Sequence, residues 1–98
     1  MVYSVIIKTL AEEDITEIVK WYIEKSEQLT KELLENIDHC LNALKMNPKH
    51  FQKKYGEMRV IYTQKFPYGI FYTIEENTVF VHAILHNKQN PQSAIERI

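Results

Sequence analysis

Between Met58 and Pro91 the chain reads MRVIYTQKFPYGIFYTIEENTVFVHAILHNKQNP, and no other segment limits the fold as strongly. Three runs of β-branched and aromatic residues, Met58–Lys65, Tyr68–Ile74 and Val79–His86, are separated by Phe66-Pro67 and by Glu75-Glu76-Asn77-Thr78. That is the pattern of an antiparallel meander. A meander needs cover for at least one face, and the residues before it supply the cover.

Upstream the hydrophobic period changes from two to about 3.6 residues. Tyr3-Ser4-Val5-Ile6-Ile7 reads as a short strand, and Thr9 with Glu12 three residues later is a capping-box signature for a first helix. In that helix Ala11, Ile15, Ile18, Val19 and Tyr22 recur at spacings of three and four, with Trp21 at the stripe's edge read as core. Ser26-Glu27-Gln28 interrupts the pattern. A second stripe of Leu29, Leu33, Ile37, Cys40, Leu41 and Leu44 then runs until Asn47-Pro48 stops it. So short a connection predicts an antiparallel helical hairpin. The expected fold is α+β, in the order β-α-α-β-β-β, with the hairpin packed on one face of a mostly antiparallel four-stranded sheet. At 98 residues, the chain is read as one domain spanning residues 1–98.

Composition excludes several classes. The apolar part of the N-terminus is too short for a signal-peptide core, and no run approaches the ~18–20 apolar residues that span a bilayer, so a cytoplasmic location is expected. Cys40 is the lone cysteine, which rules out an internal disulfide or a Cys-based zinc site and leaves it as a small buried residue. The net charge of −1 conceals a segregation. Residues 1–48 carry nine acids against five lysines, whereas residues 49–98 carry seven lysines and arginines against four glutamates. The sheet half is therefore basic enough to meet a phosphate backbone or an acidic partner, while a total near zero argues against strong nonspecific nucleic-acid binding.

Within that basic half the candidate residues are few. Arg59 lies inside the first meander strand, where a guanidinium either pairs locally or recognises phosphate or carboxylate through its fork. Lys49, His50, Lys53 and Lys54 crowd the loop before it, at the rim where an RNA backbone or an acidic surface would arrive. His82 and His86 are four apart on the last strand, too far along it to share one small ion, and no third ligand is evident, so no metal or other cofactor is expected. His86 is the better acid/base candidate, because it precedes the exit loop Asn87–Pro91 and an imidazole titrates near neutrality. The aromatic series Tyr62, Phe66, Tyr68, Phe71, Tyr72 and Phe80 reads as core, and His39 as surface.

Taken in order, these pieces carry a family resemblance over nearly the whole chain. They are Lys8-x-Leu10-Ala11 followed by Glu12-Glu13-Asp14-Ile15, then Ile18-Val19-Lys20-Trp21-Tyr22, the Leu44-x-x-Asn47-Pro48 stop, Arg59, Phe66-Pro67-Tyr68-x-Ile70-x-Tyr72, and Val81-His82-Ala83-Ile84-x-His86 with Pro91. The arrangement resembles the RelE/ParE superfamily of toxins, particularly the plasmid-stabilisation type of ParE-like protein. The resemblance implies a growth-inhibiting toxin of a type II toxin–antitoxin pair, alone as a homodimer or joined to its antitoxin as a hetero-oligomer. The antitoxin would wrap the helices and cover the sheet.

Two activities are compatible with that resemblance. ParE-like members bind DNA gyrase and need only a surface, here Lys49, Lys53, Lys54, Arg59 and Lys88. RelE-like members are enzymes that cleave messenger RNA on the ribosome. That reading implies Lys53, Lys54, Arg59 and Lys88 for charge stabilisation, with His86 or Tyr62 moving the proton. The chain departs from the nuclease pattern at its end, since no aromatic or histidine follows Pro91 and Lys88-Gln89 stands where many relatives place an arginine. A binding-only, ParE-like inhibitor is therefore the preferred expectation. A module that holds an antitoxin without toxicity is the third reading.

Overall fold

The computed structural model describes residues 2–98. Its elements run β1 (Ser4–Ile7), α1 (Thr9–Lys25), α2 (Glu27–Met46), a 3₁₀ turn (Pro48–His50), β2 (Lys53–Tyr55), β3 (Met58–Tyr62), β4 (Tyr68–Glu75), β5 (Thr78–His86) and α3 (Gln92–Ile95). The strands form one sheet in the order β1-β5-β4-β3-β2, antiparallel except for β1, which runs parallel to β5. The α+β arrangement with a helical hairpin and a meander is the expected one. The sheet has five strands instead of four, because Lys53–Tyr55 pairs with β3 where a loop was expected.

Local signals explain most element boundaries. Ser26 alone joins the helices: its N–H donates to Tyr22 O at 2.8 Å, and its Oγ accepts from Leu29 N at 3.1 Å, closing one helix and opening the next. The capping box at Thr9 does not form. Lys8 takes the N-cap position without a side-chain bond, since its own N–H is still held by β5 through Val81 O at 2.9 Å. The strand expected to reach Lys65 stops at Tyr62. There Thr63 turns inward, and its Oγ1 donates to Phe66 O at 2.6 Å, shaping the turn into Tyr68.

Burial is two-sided but unequal. On the helix side, Ala11, Leu33, Leu44, Ile70, Tyr72 and Val81 are fully enclosed in the main core. On the far side Met58, Val60, Phe71, Ala83 and Leu85 form a second cluster, covered in part by Ala94 of α3. Three residues expected in the core are exposed, Trp21 at 54 %, Leu29 at 41 % and Tyr62 at 45 %, and a fourth, Phe80, is only half-buried, with the Lys8 ammonium 5.6 Å from its ring. Trp21 stands one residue outside the helical stripe and packs edge-on against Tyr22 with the Lys25 ammonium 5.3 Å from its ring. Leu29 yields its place to Thr30, whose hydroxyl is satisfied by Ser26 O at 2.8 Å.

Between Phe71 and Tyr72 the β4–β5 register slips: Phe71 pairs with Ala83 but Tyr72 with Val81, leaving His82 unpaired in a bulge. Below the bulge β1 has ended, so Ile84 N has no strand neighbour on that side, and Asp14 of α1 accepts its proton at 3.0 Å. The same carboxylate holds Arg97 at 2.6 and 3.3 Å, and Arg97 also donates to His82 O at 3.0 Å. The chain's last turn is thereby clipped to both α1 and β5.

Candidate functional site

Alternation along β3 decides which residues can act together. Met58, Val60 and Tyr62 project to the far face, and Arg59 and Ile61 to the helix side. Arg59 lies at the margin of that side, half-buried, with Nη1 donating to Phe51 O at 2.6 Å and to Lys49 O at 3.2 Å. Its cross-strand partner Tyr72 sends its hydroxyl to Pro48 O at 2.7 Å. Two strand side chains thus pin the carbonyls of the 3₁₀ turn and its exit. Burial drives the Tyr72 phenol far above its ordinary pKa, so it remains a neutral donor.

Beside Arg59 is an open polar hollow of about 280 Å³ whose wall includes Lys49, Lys53, Glu57 and Glu76. Lys53 is bonded to Glu57 at 2.7 Å, an ion pair across the β2–β3 turn that holds the Glu57 carboxyl below its usual range. Two carboxylates among the cations leave this hollow nearly balanced in charge.

A second, smaller hollow of about 100 Å³ lies on the far face. Tyr55, Tyr62, Phe71 and Leu85 line it, and His86 and Gln89 close one end. Tyr55 stacks on Phe71 with centroids 6.2 Å apart. Lys54 Nζ donates to Tyr62 Oη at 2.8 Å, and that bond raises the lysine's pKa, fixing it as a cation. The His86 ring meets Tyr68 edge-on at 5.6 Å, and its Nδ1 accepts the Lys88 N–H at 3.0 Å, which puts the proton of the neutral ring on Nε2. Tyr68 beneath it has its pKa pushed up to about 12 by burial, with the neighbouring Tyr22 phenol adding to the shift.

The residues singled out from sequence therefore fall into two groups. Lys49, Lys53 and Arg59 surround the polar hollow, while Lys54, Tyr62 and His86 surround the aromatic groove, with Lys88 on the exposed turn beyond it. His82 joins neither. Its Nε2 is 2.8 Å from Thr73 Oγ1 and its buried Nδ1 has no partner. Burial, and then the Lys8 ammonium, push its pKa down. Sequence reasoning missed Tyr55 and the Asp14–Arg97 clip. Tyr55 sits in a strand of three residues, and the clip joins positions 83 apart, so neither leaves a local pattern.

Among the described residues, no three His, Cys, Asp or Glu side chains are grouped to hold a metal, and no helix is long and apolar enough to cross a membrane. The family model of the ParE toxin of the type II toxin–antitoxin system parDE matches residues 5–91. No curated protein matches the sequence. Among solved structures, one described as the chromosomal ParDE TA system from P. aeruginosa matches with a TM-score of 0.75 at 11 % identity, over 87 % of this chain and 96 % of that one. At that identity the likeness speaks for the fold.

Proposed function

We propose, for a chain that belongs to the ParE family of type II toxin–antitoxin toxins, that it arrests growth by binding DNA gyrase and that a cognate antitoxin neutralises it. The observation that carries this reading is the division of the cationic set between two faces of the sheet. A phosphoryl-transfer site needs its cations converging on one phosphate. Here Nη1 of Arg59 is bonded to two backbone carbonyls, and Lys53 is paired with Glu57. Lys54 is on the opposite side, bonded to Tyr62. An inhibitor that works by occupying its target needs no such convergence, only an accessible surface.

Lys49, Lys53, Lys54 and Lys88 supply exposed positive charge for that surface, and Arg59 supports it by holding the 3₁₀ turn from which Lys49 projects. Trp21, Ile23 and Leu34 are large apolar side chains left exposed on the helical hairpin, which suits a partner that lies along the helices. The antitoxin is the natural occupant, in the cytoplasm and as a hetero-oligomer. The family of the chain, and its likeness in fold to a protein of a ParDE system, support that partner.

Induced expression of the chain alone is expected to stop growth and to accumulate cleaved DNA covalently linked to gyrase, with ribosome-bound message intact. Codon-dependent cleavage of message, abolished by Arg59→Ala, would replace this reading with endonuclease chemistry. Undisturbed growth at verified expression would leave an antitoxin-holding module.

A further inference from the structure

The end of α2 carries a surface unlike the rest of the hairpin. Trp21, Ile23 and Leu34 stand among the acids that crowd residues 12–38, whereas no Asp or Glu occurs between Asp38 and Glu57, a span that holds Lys45, Lys49, Lys53 and Lys54. Met46 lies about 18 Å beyond Leu34 along the helix and is 65 % exposed. Beside it is a hollow of about 310 Å³ lined by Ala43, Met46, Asn47, His50 and Phe51. Its walls are held in place: Asn47 N–H donates to Ala43 O at 2.9 Å, the His50 ring stands edge-on to Phe51 at 5.0 Å, and Arg59 Nη1 donates to Phe51 O at 2.6 Å. Among the described residues no carboxylate pairs with Lys45 or Lys49, the chain neighbours of Met46 and His50. A methionine adapts its shape to what it meets, and an apolar hollow beside uncompensated lysines selects an acidic surface that offers one apolar side chain.

We infer that this hollow anchors the target, receiving an apolar side chain from an acidic segment of gyrase while Lys45 and Lys49 meet that segment's carboxylates. The assignment rests on the gyrase reading and names where that contact is held. Charge decides between occupants, since the acid-rich flank around Trp21 repels such a segment and stays available to the antitoxin. The 3₁₀ turn runs from the hollow to the positive rim at Lys49, so one pinned turn presents both. A wall fixed before contact loses little freedom on binding.

The test uses the purified full chain and purified gyrase. Met46→Ala should weaken binding about 5- to 30-fold, the loss typical of an anchoring contact, whereas the volume-conserving Met46→Leu should stay within about 3-fold. Met46→Glu should weaken it about 100-fold or more, because it sets a carboxylate against an acidic partner. Lys45→Met and Lys49→Met should slow association and flatten its dependence on salt, and Lys31→Met, the same charge change earlier on α2, should do neither. Urea midpoints confirm that each variant is folded, which is expected because Met46, Lys45 and Lys49 are exposed. A benzophenone amino acid at position 46 should cross-link to a gyrase segment rich in Asp and Glu. No gyrase binding by the wild-type chain would sink the gyrase reading and the anchor with it. Wild-type binding that Met46→Glu leaves unchanged, or cross-linking to a basic or uncharged segment, would overturn the anchor alone. In that event, conversion of a dimer to a monomer by Met46→Glu would give the hollow to a second copy, and loss of antitoxin binding would give it to the antitoxin.

Discussion

The helix side of the sheet and its far side are built from the same strands, yet they are finished differently. Against the helices, Leu33, Leu44, Ile70, Tyr72, Val79 and Val81 retain essentially no exposed surface. On the far side the apolar residues are closed over by Ala94 and the clipped last turn, and the sheet stays open at the Tyr62 groove and around His82. The difference teaches where stability and where binding can reside. A face packed to interior density tolerates little change. A face covered by a four-residue helix and one ion pair has surface to spare for a ligand.

The widest gap between the two faces should appear on truncation. Leu44→Ala removes a fully enclosed side chain and is expected to cost about 3 kcal/mol in urea unfolding, from lost transfer energy plus the cavity left behind. Tyr62→Ala on the far face should stay within about 0.5 kcal/mol, as exposed substitutions usually do. Similar costs at the two sites would break the comparison.

Next in size is the clip. Asp14 and Arg97 retain 18 % and 20 % of their side-chain exposure, so the pair is partly desolvated, and Asp14 also satisfies Ile84 N. Asp14→Ala leaves the Ile84 amide without a partner and the Arg97 guanidinium with His82 O but no counter-charge, and should cost about 2 kcal/mol. Hydrogen exchange should then show residues 92–98 losing protection while α2 keeps its own. Uniform loss across both would mean that the far-side cover is integral to the main core.

What could be read from the sequence follows the same division. The meander, the two helices and the Ser26 junction were legible because each is set by neighbours within a few residues, through period, turn residues and a cap. The helix-side core followed from those periods, and Trp21 and Leu29 escaped it because the apolar stripes were drawn about one position too wide. The candidate site was legible only as residue types. Arg59 and Lys54 are five positions apart and looked like one cluster, but strand alternation and the β2–β3 turn send them to opposite faces. The fifth strand was invisible, since Lys53-Lys54-Tyr55 has no apolar alternation and pairs only because the Gly56 turn, at φ 61°, folds it back on β3.

A smaller effect sharpens the reading of Arg59 as support. Tyr72→Phe deletes the bond to Pro48 O and should cost about 1 kcal/mol, enough to loosen the turn that carries Lys49. If the turn is what presents the positive rim, Tyr72→Phe and Arg59→Met should reduce growth arrest together, although the phenol never reaches solvent. Loss with Arg59→Met alone would assign the guanidinium a direct role.

The smallest effect is the one tied to acidity, and it separates the faces by order of failure. Burial holds the His82 ring neutral in the folded chain, with Lys8 reinforcing and Glu75 opposing, so its folded pKa lies below the 6.5 of an unhindered imidazole. The unfolded chain therefore takes up the proton first. The contribution of His82 to stability is complete above about pH 6.5 and is lost as pH falls from there through the lower folded value. Comparing wild type with His82→Gln between pH 7.5 and 5 isolates this slope, at roughly 1.4 kcal/mol per unit of depression at most. Because Arg97 is bonded to His82 O, a charge on the ring should loosen the clip before it touches the hairpin. Amide protection should vanish first around residues 92–98 and Ile84, and only at lower pH around Leu33 and Leu44. Simultaneous loss would show that the two faces unfold as one unit despite their unequal packing.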